Sequence, residues 1–199
     1  MRRLRPIVIV VALAGCGGAT GNADGAAPGG CFVGDPASAP ELELVHRTAD
    51  GQLATVADGA PIPLFEPPQG GQVILVGVRA RNIDGCPLTL STSLAVPQST
   101  IVAAFERRPV TLEATPDGWL QPKRPDLLSN FANLPSCPIA GLDRAVDGEP
   151  YQLTVEAEDH AGRKGQASAL VVPSCDMNVA PTLCRCLCAA NYVLGIVCS

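Results

Sequence analysis

Nine cysteines stand among 199 residues, and three of them form the run Cys184-Arg-Cys186-Leu-Cys188. Thiolates this close in sequence can hold Zn²⁺ or Cu(I) as soft ligands. They can equally pair outward as disulfides, each with a different distant partner. Zinc sites usually place two or more residues between ligating cysteines, and no histidine stands near this run to complete a mixed site. Disulfides are therefore the expected state, no metal ligand or other cofactor is assigned, and metal binding by the tail is the alternative. No Cys-x-x-Cys occurs, so a dithiol redox centre lacks its usual motif.

Other chemistry is thinly provided. The chain has two histidines, His46 and His160, and no Gly-x-Ser-x-Gly, phosphate-cradling glycine loop or His-Glu-x-x-His. A Ser–His–Asp relay on His160 and Asp159 is weighed against a solvated loop histidine, and the second is the simpler reading. Asp143, Asp147, Glu149 and Asp159 cluster in sequence and offer oxygens to calcium, although a solvated acidic rim needs no convergence of those oxygens. Aromatics make up 4% of the chain, so carbohydrate stacking has one natural platform, Trp119. No catalytic residue is assigned, and the chain is read as non-enzymatic. The net charge is −5, and losing Arg2, Arg3 and Arg5 with no acid leaves −8, which disfavours nucleic acid as a partner.

The N-terminus carries the most specific pattern. Three arginines within Met1–Arg5 precede an unbroken apolar run, Ile7 to Leu13, and then Leu13-Ala14-Gly15-Cys16. The run is far short of the roughly 20 residues that span a bilayer as a helix, and a positive head followed by a short apolar stretch describes an export signal. These sixteen residues resemble a bacterial lipoprotein precursor, whose lipobox Leu-Ala-Gly-Cys matches at all four positions. The resemblance implies cleavage after Gly15, a signal peptide over 1–15, and lipidation of Cys16, so that the membrane itself is one partner. Two or more acyl chains suffice for durable anchoring. Gly17 follows the cysteine where an aspartate resembles an inner-membrane retention signal, which points to the outer membrane, on its periplasmic or surface face. Residues 16–30 then read as a lipidated cysteine and a Gly/Ala tether whose 14 residues after Cys16 reach roughly 20 Å.

With Cys16 spent on lipid, eight cysteines remain as disulfide candidates: Cys31, Cys86, Cys137, Cys175, Cys184, Cys186, Cys188 and Cys198. Their even number suits an oxidising compartment, with the connectivity open.

Residues 31–174 must position whatever the chain displays, and their pattern has a period of two. Alternation over Glu41–His46, Gln72–Arg81, Pro87–Val96, Val110–Ala114 and Tyr151–Glu158, with an apolar stretch at Gln166–Val172, predicts six or seven strands. In Gln72–Arg81, Ile74, Val76, Val78 and Ala80 share one face, opposite Arg79 and Arg81. Helical support is confined to a turn or two at Asp126–Leu134. The segment Asp147-Gly-Glu-Pro-Tyr-Gln-Leu-Thr-Val-Glu-Ala-Glu-Asp-His-Ala-Gly162 resembles the F–G hairpin of fibronectin type III and bacterial immunoglobulin-like domains. That resemblance implies an all-β, antiparallel Ig-like β-sandwich in which the Tyr151 hydroxyl bonds backbone a few residues upstream. The sequence departs from the family in lacking an early-strand Trp and in its long passage from 97 to 146.

Residues 175–199 form a small disulfide-rich C-terminal tail, expected to fold back on the sandwich, with apolar Ala189–Val197 packing against it. The function expected is that of a lipid-anchored cell-envelope protein acting in binding or structural assembly, with an envelope protein or polysaccharide as its further partner. The alternative is a small envelope metal-binding protein or enzyme using the tail.

Overall fold

The computed structural model describes residues 31–123 and 128–198. The signal segment, Cys16 and the tether lie outside the described residues. The fold is mostly β, built from β1 (Phe32–Val33), β2 (Glu41–Arg47), β3 (Leu53–Thr55), β4 (Ala60–Pro63), β5 (Gln72–Arg81), β6 (Ile83–Asp84) and β7 (Leu88–Ala95). It continues with β8 (Val102–Val110), β9 (Leu112–Ala114), β10 (Leu120–Pro122), β11 (Ala132–Cys137), β12 (Tyr151–Glu158) and β13 (Lys164–Ser174), and then one helix, α1 (Pro181–Leu187). One sheet runs β3-β2-β5-β10-β9 with β11 also on β5, the other runs β4-β13-β12-β7-β8, and β1 pairs β6.

The two sheets face each other over an aliphatic core. Ile74, Val76, Val78 and Ala80 of β5 meet a layer containing Leu88, Leu90, Leu94, Leu153, Val155 and Ala157, all buried. Each such Leu or Val contributes roughly 1.5–3 kcal/mol by leaving water. The other face of β5 is also buried, because Val73 and Leu75 lie under Phe131, flanked by Leu53, Phe65 and Leu128. Gly77 sits where this second layer comes closest. A Cβ there would meet the Pro122 ring at 2.8 Å and the Phe131 ring at 3.3 Å.

Four expectations are corrected. The sandwich is not wholly antiparallel, since β4 runs parallel to β13, Ala60 opposite Val171. β4 reaches the second sheet from β3 in the first, so no tight hairpin dictates its direction, and Pro61 and Pro63, lacking N–H donors, confine it to an edge. Val110 and Leu112 do not share a strand. Val110 ends β8 in one sheet, Leu112 begins β9 in the other, and the chain changes sheets at Thr111. Of the helical turn expected at Asp126–Leu134, residues 126 and 127 lie outside the described residues, and the rest forms only a 3₁₀ turn at Leu128–Asn130 followed by strand from Ala132. Helix appears instead at α1, where Pro181 occupies the first turn, a position at which the missing N–H costs nothing.

The open corner between β8 and β11 is closed by side chains. Arg108 donates to the Phe131 carbonyl at 3.3 Å and pairs with Glu106 at 2.5 Å. Burial pushes the Glu106 carboxyl up, opposed by Arg108 and by the Asn133 backbone N–H. Charged groups turned inward at an edge also discourage another strand from adding there.

Tyr151 opens β12 fully buried, and its hydroxyl donates to the Ala145 carbonyl six residues upstream at 2.9 Å. Removing the hydroxyl leaves that carbonyl without its donor. Tyr151→Phe is expected to cost about 1–2 kcal/mol, read as a lower urea midpoint with an unchanged strand spectrum. An unchanged midpoint would show that the bond carries no weight.

Candidate binding pole

The ends of β5 define two poles, about 30 Å apart for ten residues of strand. At its Arg81 end the described chain begins. Cys31 is bonded to Cys86 (S–S 2.00 Å), its N–H donates to Asp84 at 3.2 Å, and β1 pairs with β6. Arg163 clamps this segment. Its guanidinium donates to the carbonyls of Asn82 (3.1 Å), Pro36 (2.6 Å) and Ser38 (2.5 Å) and lies 5.7 Å from the Phe32 ring centroid.

At the Gln72 end lies the cysteine tail. Cys137, opposite Gln72, bonds Cys188 (2.03 Å); Cys175, just beyond β13, bonds Cys184 (1.99 Å); Cys186 bonds Cys198 (1.90 Å). The three alternate cysteines thus pair outward with three different partners. The sulfurs of Cys175, Cys184 and Cys188 lie within 4.8 Å of one another, buried in the core. Each is covalently committed, so in this oxidised form none presents the thiolate that a soft metal takes. Asp147 reinforces the tail by accepting from the Cys175 N–H at 2.7 Å and pairing with Arg185 at 3.6 Å.

The other candidates are dispersed. Asp147 and Asp159 flank opposite ends of β12, and Glu149 pairs with Arg144 at 2.9 Å, so the acids do not converge. The Asp159 carboxylate accepts from the N–H groups of Ala161 and Arg163 at 2.9 Å and of Asp84 at 3.3 Å. It is a loop brace, while the His160 ring faces Asp84 at 3.8 Å. Trp119 carries the guanidinium groups of Arg79 and Arg81 at 5.0 and 4.8 Å from its ring. Arg79 in turn pairs with Glu43 (2.8 Å) and Asp117 (2.5 Å), and Arg81 with Glu41 (2.5 Å). The one aromatic platform is engaged by the chain's own cations.

What the period-two pattern does not reveal is a cavity of about 220 Å³ at the tail pole, lined by Arg47, Ala49, Leu64, Phe65, Glu66, Met177, Asn178 and Val179. It forms where the strand leaving β4 crosses between sheets. Leu64 still bonds Ser174 of the second sheet, while Phe65 pairs with Val73 of the first. Asn178 holds the opposite wall, its amide donating to the Leu64 carbonyl (3.0 Å) and to Gln72 (2.6 Å) and its oxygen accepting from Ala180. The Arg47 guanidinium stands 5.4 Å from the Phe65 ring. Beside the cavity, Met177 and Val179 are exposed.

The segment Ala189–Val197 does not pack against the sandwich as expected. Val193, Leu194, Ile196 and Val197 are all exposed. The Cys137–Cys188 disulfide uses the last inward position, and Cys186–Cys198 then closes the following residues into a loop tied to the domain by Asn191 N–H on the Leu142 carbonyl. From Cys186 to Cys198 no residue is charged. The chain matches no protein-family model, no curated protein and no solved structure.

His46, opposite Val76 near the middle of β5, gives the domain's stability a pH dependence. Burial holds its imidazole below the usual histidine range, because the charged ring is poorly solvated there. Between the folded and the unfolded pKa, the unfolded chain binds the extra proton, so stability is lost as pH falls below about 6.5. The urea midpoint is expected to fall from pH 7 to 5.5 and to fall less steeply in His46→Gln. Equal slopes would contradict the assignment.

Proposed function

We propose that the chain is a lipid-anchored, non-enzymatic protein of the bacterial cell envelope, held through Cys16 to the outer membrane, whose Ig-like domain works by binding. The observation that carries this reading is the separation of the poles. The segment that would bear the lipid joins the fold at the Cys31–Cys86 end, while the cavity and the exposed apolar loop lie at the far end of β5. A domain held at one end presents the other to partners, and exposed apolar surface of this kind is characteristic of interaction sites.

The eight described cysteines are all in disulfides, which accords with an exported, oxidising location. The Ig-like assignment rests on the β12–β13 hairpin and on Tyr151, whose bond to Ala145 has the form of a tyrosine corner. The coverage of Trp119 by Arg79 and Arg81 weighs against polysaccharide and in favour of an apolar protein surface as the partner.

Anchoring is tested in cells supplied with labelled fatty acid. The native chain is expected to take up label and to leave the membrane fraction only with detergent. Cys16→Ser is expected to take up none and to accumulate as unprocessed precursor. Equal labelling of the variant would remove Cys16 from its assigned role.

A further inference from the structure

We propose that Cys137, Cys175, Cys184 and Cys188 form a four-thiolate site for Zn²⁺ when their two disulfides are reduced, so that metal and disulfides are alternative cross-links at one place in the fold. In the oxidised chain the sulfurs of Cys175, Cys184 and Cys188 already lie within 4.8 Å of one another. The fourth, Cys137, is bonded to Cys188 and so stands one bond from that group. Zinc holds thiolates tetrahedrally at about 2.3 Å, which sets the sulfurs roughly 3.8 Å apart. The approach of Cys188 to Cys175 and Cys184, to which it is not bonded, needs little change to reach that spacing. The bonded pairs, whose Cα atoms are 5.1 and 5.7 Å apart, open to it by turning about their Cα–Cβ bonds.

The fold also sorts the run Cys184-Arg-Cys186-Leu-Cys188. Cys184 and Cys188 stand one helical turn apart, the Cys188 N–H bonding the Cys184 carbonyl at 2.9 Å, and so share a face of α1. Three residues separate them, a usual spacing for zinc ligands. Cys186 turns away and pairs with Cys198. Cys175 follows β13 and Cys137 ends β11, so three elements supply the set. Cys175 and Cys184 are 0% exposed, Cys188 1% and Cys137 5%. Such burial weighs against disulfide-exchange chemistry, which needs an accessible thiolate, and a full set of four sulfurs leaves no open position for a substrate. The site is structural.

Every chain passes through the reduced state before its disulfides form. Return to it from the oxidised state breaks both S–S bonds. Two electrons and two protons pass to each bond from a dithiol reductant, which is itself oxidised to its disulfide. Zinc then displaces the four thiol protons to solvent as four Zn–S bonds form, and the tail stays cross-linked to β11 and β13.

The site does not involve Cys16 and is independent of the binding reading above. The native full chain is purified with its disulfides intact, and half of it is reduced with excess phosphine in the absence of air. Cobalt(II) is the probe and zinc the competitor. The oxidised half is expected to bind neither. The reduced half is expected to take up one cobalt per chain with the intense visible bands of a tetrahedral thiolate ion, which zinc then bleaches. In Cys175→Ser and Cys184→Ser the bands are expected to weaken and shift, and zinc affinity to fall at least about tenfold. Cys186→Ser is expected to leave both unchanged. All variants are compared in the reduced state, so none differs from the native chain by a lost disulfide. A chain that unfolds on reduction is expected to regain its strand spectrum with zinc. A reduced chain showing only the weak spectrum of octahedral cobalt would overturn the proposal. So would equal losses in Cys186→Ser and Cys184→Ser, which would assign binding to the bare run, and zinc uptake by the oxidised half, which would place the site elsewhere.

Discussion

The burial of β5 on both faces governs this structure. Its inner face, Ile74 to Ala80, closes the core between the sheets, while Val73 and Leu75 on the outer face need a cover of their own. That requirement is met by Phe131, which packs with Val73 and Leu75 and together with Pro122 closes over Gly77. Both edges of β5 are also shared. β2 and Phe65 divide one, β10 and β11 the other. A strand with four partners and two buried faces leaves its ends as the natural places for variable chemistry, and the disulfides stand there.

The sulfur bridges compensate for a core without many rings. Apart from Tyr151 and Phe131, the largest fully buried side chains are Leu and Ile, so packing alone must hold short peripheral segments at the surface. Cys31–Cys86 ties the first strand to the turn after β6, and Cys137–Cys188 ties the tail to the end of β11, across separations of 55 and 51 residues. Cross-links over loops that long remove roughly 4 kcal/mol of unfolded-chain entropy in the loop-closure account. Arg163 and Asp147 do by hydrogen bonding what the bridges do covalently, one at each pole. The tail is part of the domain in this sense, because Cys175, Cys184 and Cys188 belong to the same buried cluster as the strands.

Most long strands were legible because they alternate, although only Val110 of the nine-residue β8 fell in an expected strand. β2, β5, β7 and β12 stand within a residue or so of where the period-two pattern places them, and the Tyr151 hydroxyl finds backbone upstream as the hairpin resemblance implies. The short ones were not. β4 contains two prolines, β10 has three residues, and β11 carries Pro135 beside a bulge, so none shows a repeat long enough to read. The crossing at Thr111 was hidden because Val110 and Leu112 both point into the core, and a strand and a change of sheet have the same spacing there. The cavity was illegible for a different reason. Its walls come from residues 47–49, 64–66 and 177–179, which only the tertiary fold brings together. The apolar run after Cys188 was misjudged because composition says that it avoids water and not that a disulfide prevents it from doing so.

A consistent physical picture joins anchor, scaffold and display. The described chain enters the fold at the Cys31–Cys86 end of β5 and the exposed apolar loop lies toward the other, so on the proposed lipidation of Cys16 the Cys31 end is the one tethered nearer the membrane. Trp119, the chain's one tryptophan, stands next to Leu120, which pairs with Ala80 near the Arg81 end of β5, and so provides a native donor for energy transfer to dansyl-labelled lipid headgroups. The most direct measurement reconstitutes the lipidated protein on vesicles and compares that transfer with transfer from a chain carrying Trp119→Phe and Val197→Trp. The account expects stronger transfer from Trp119 than from the loop position. Equal or stronger transfer from the loop would contradict it.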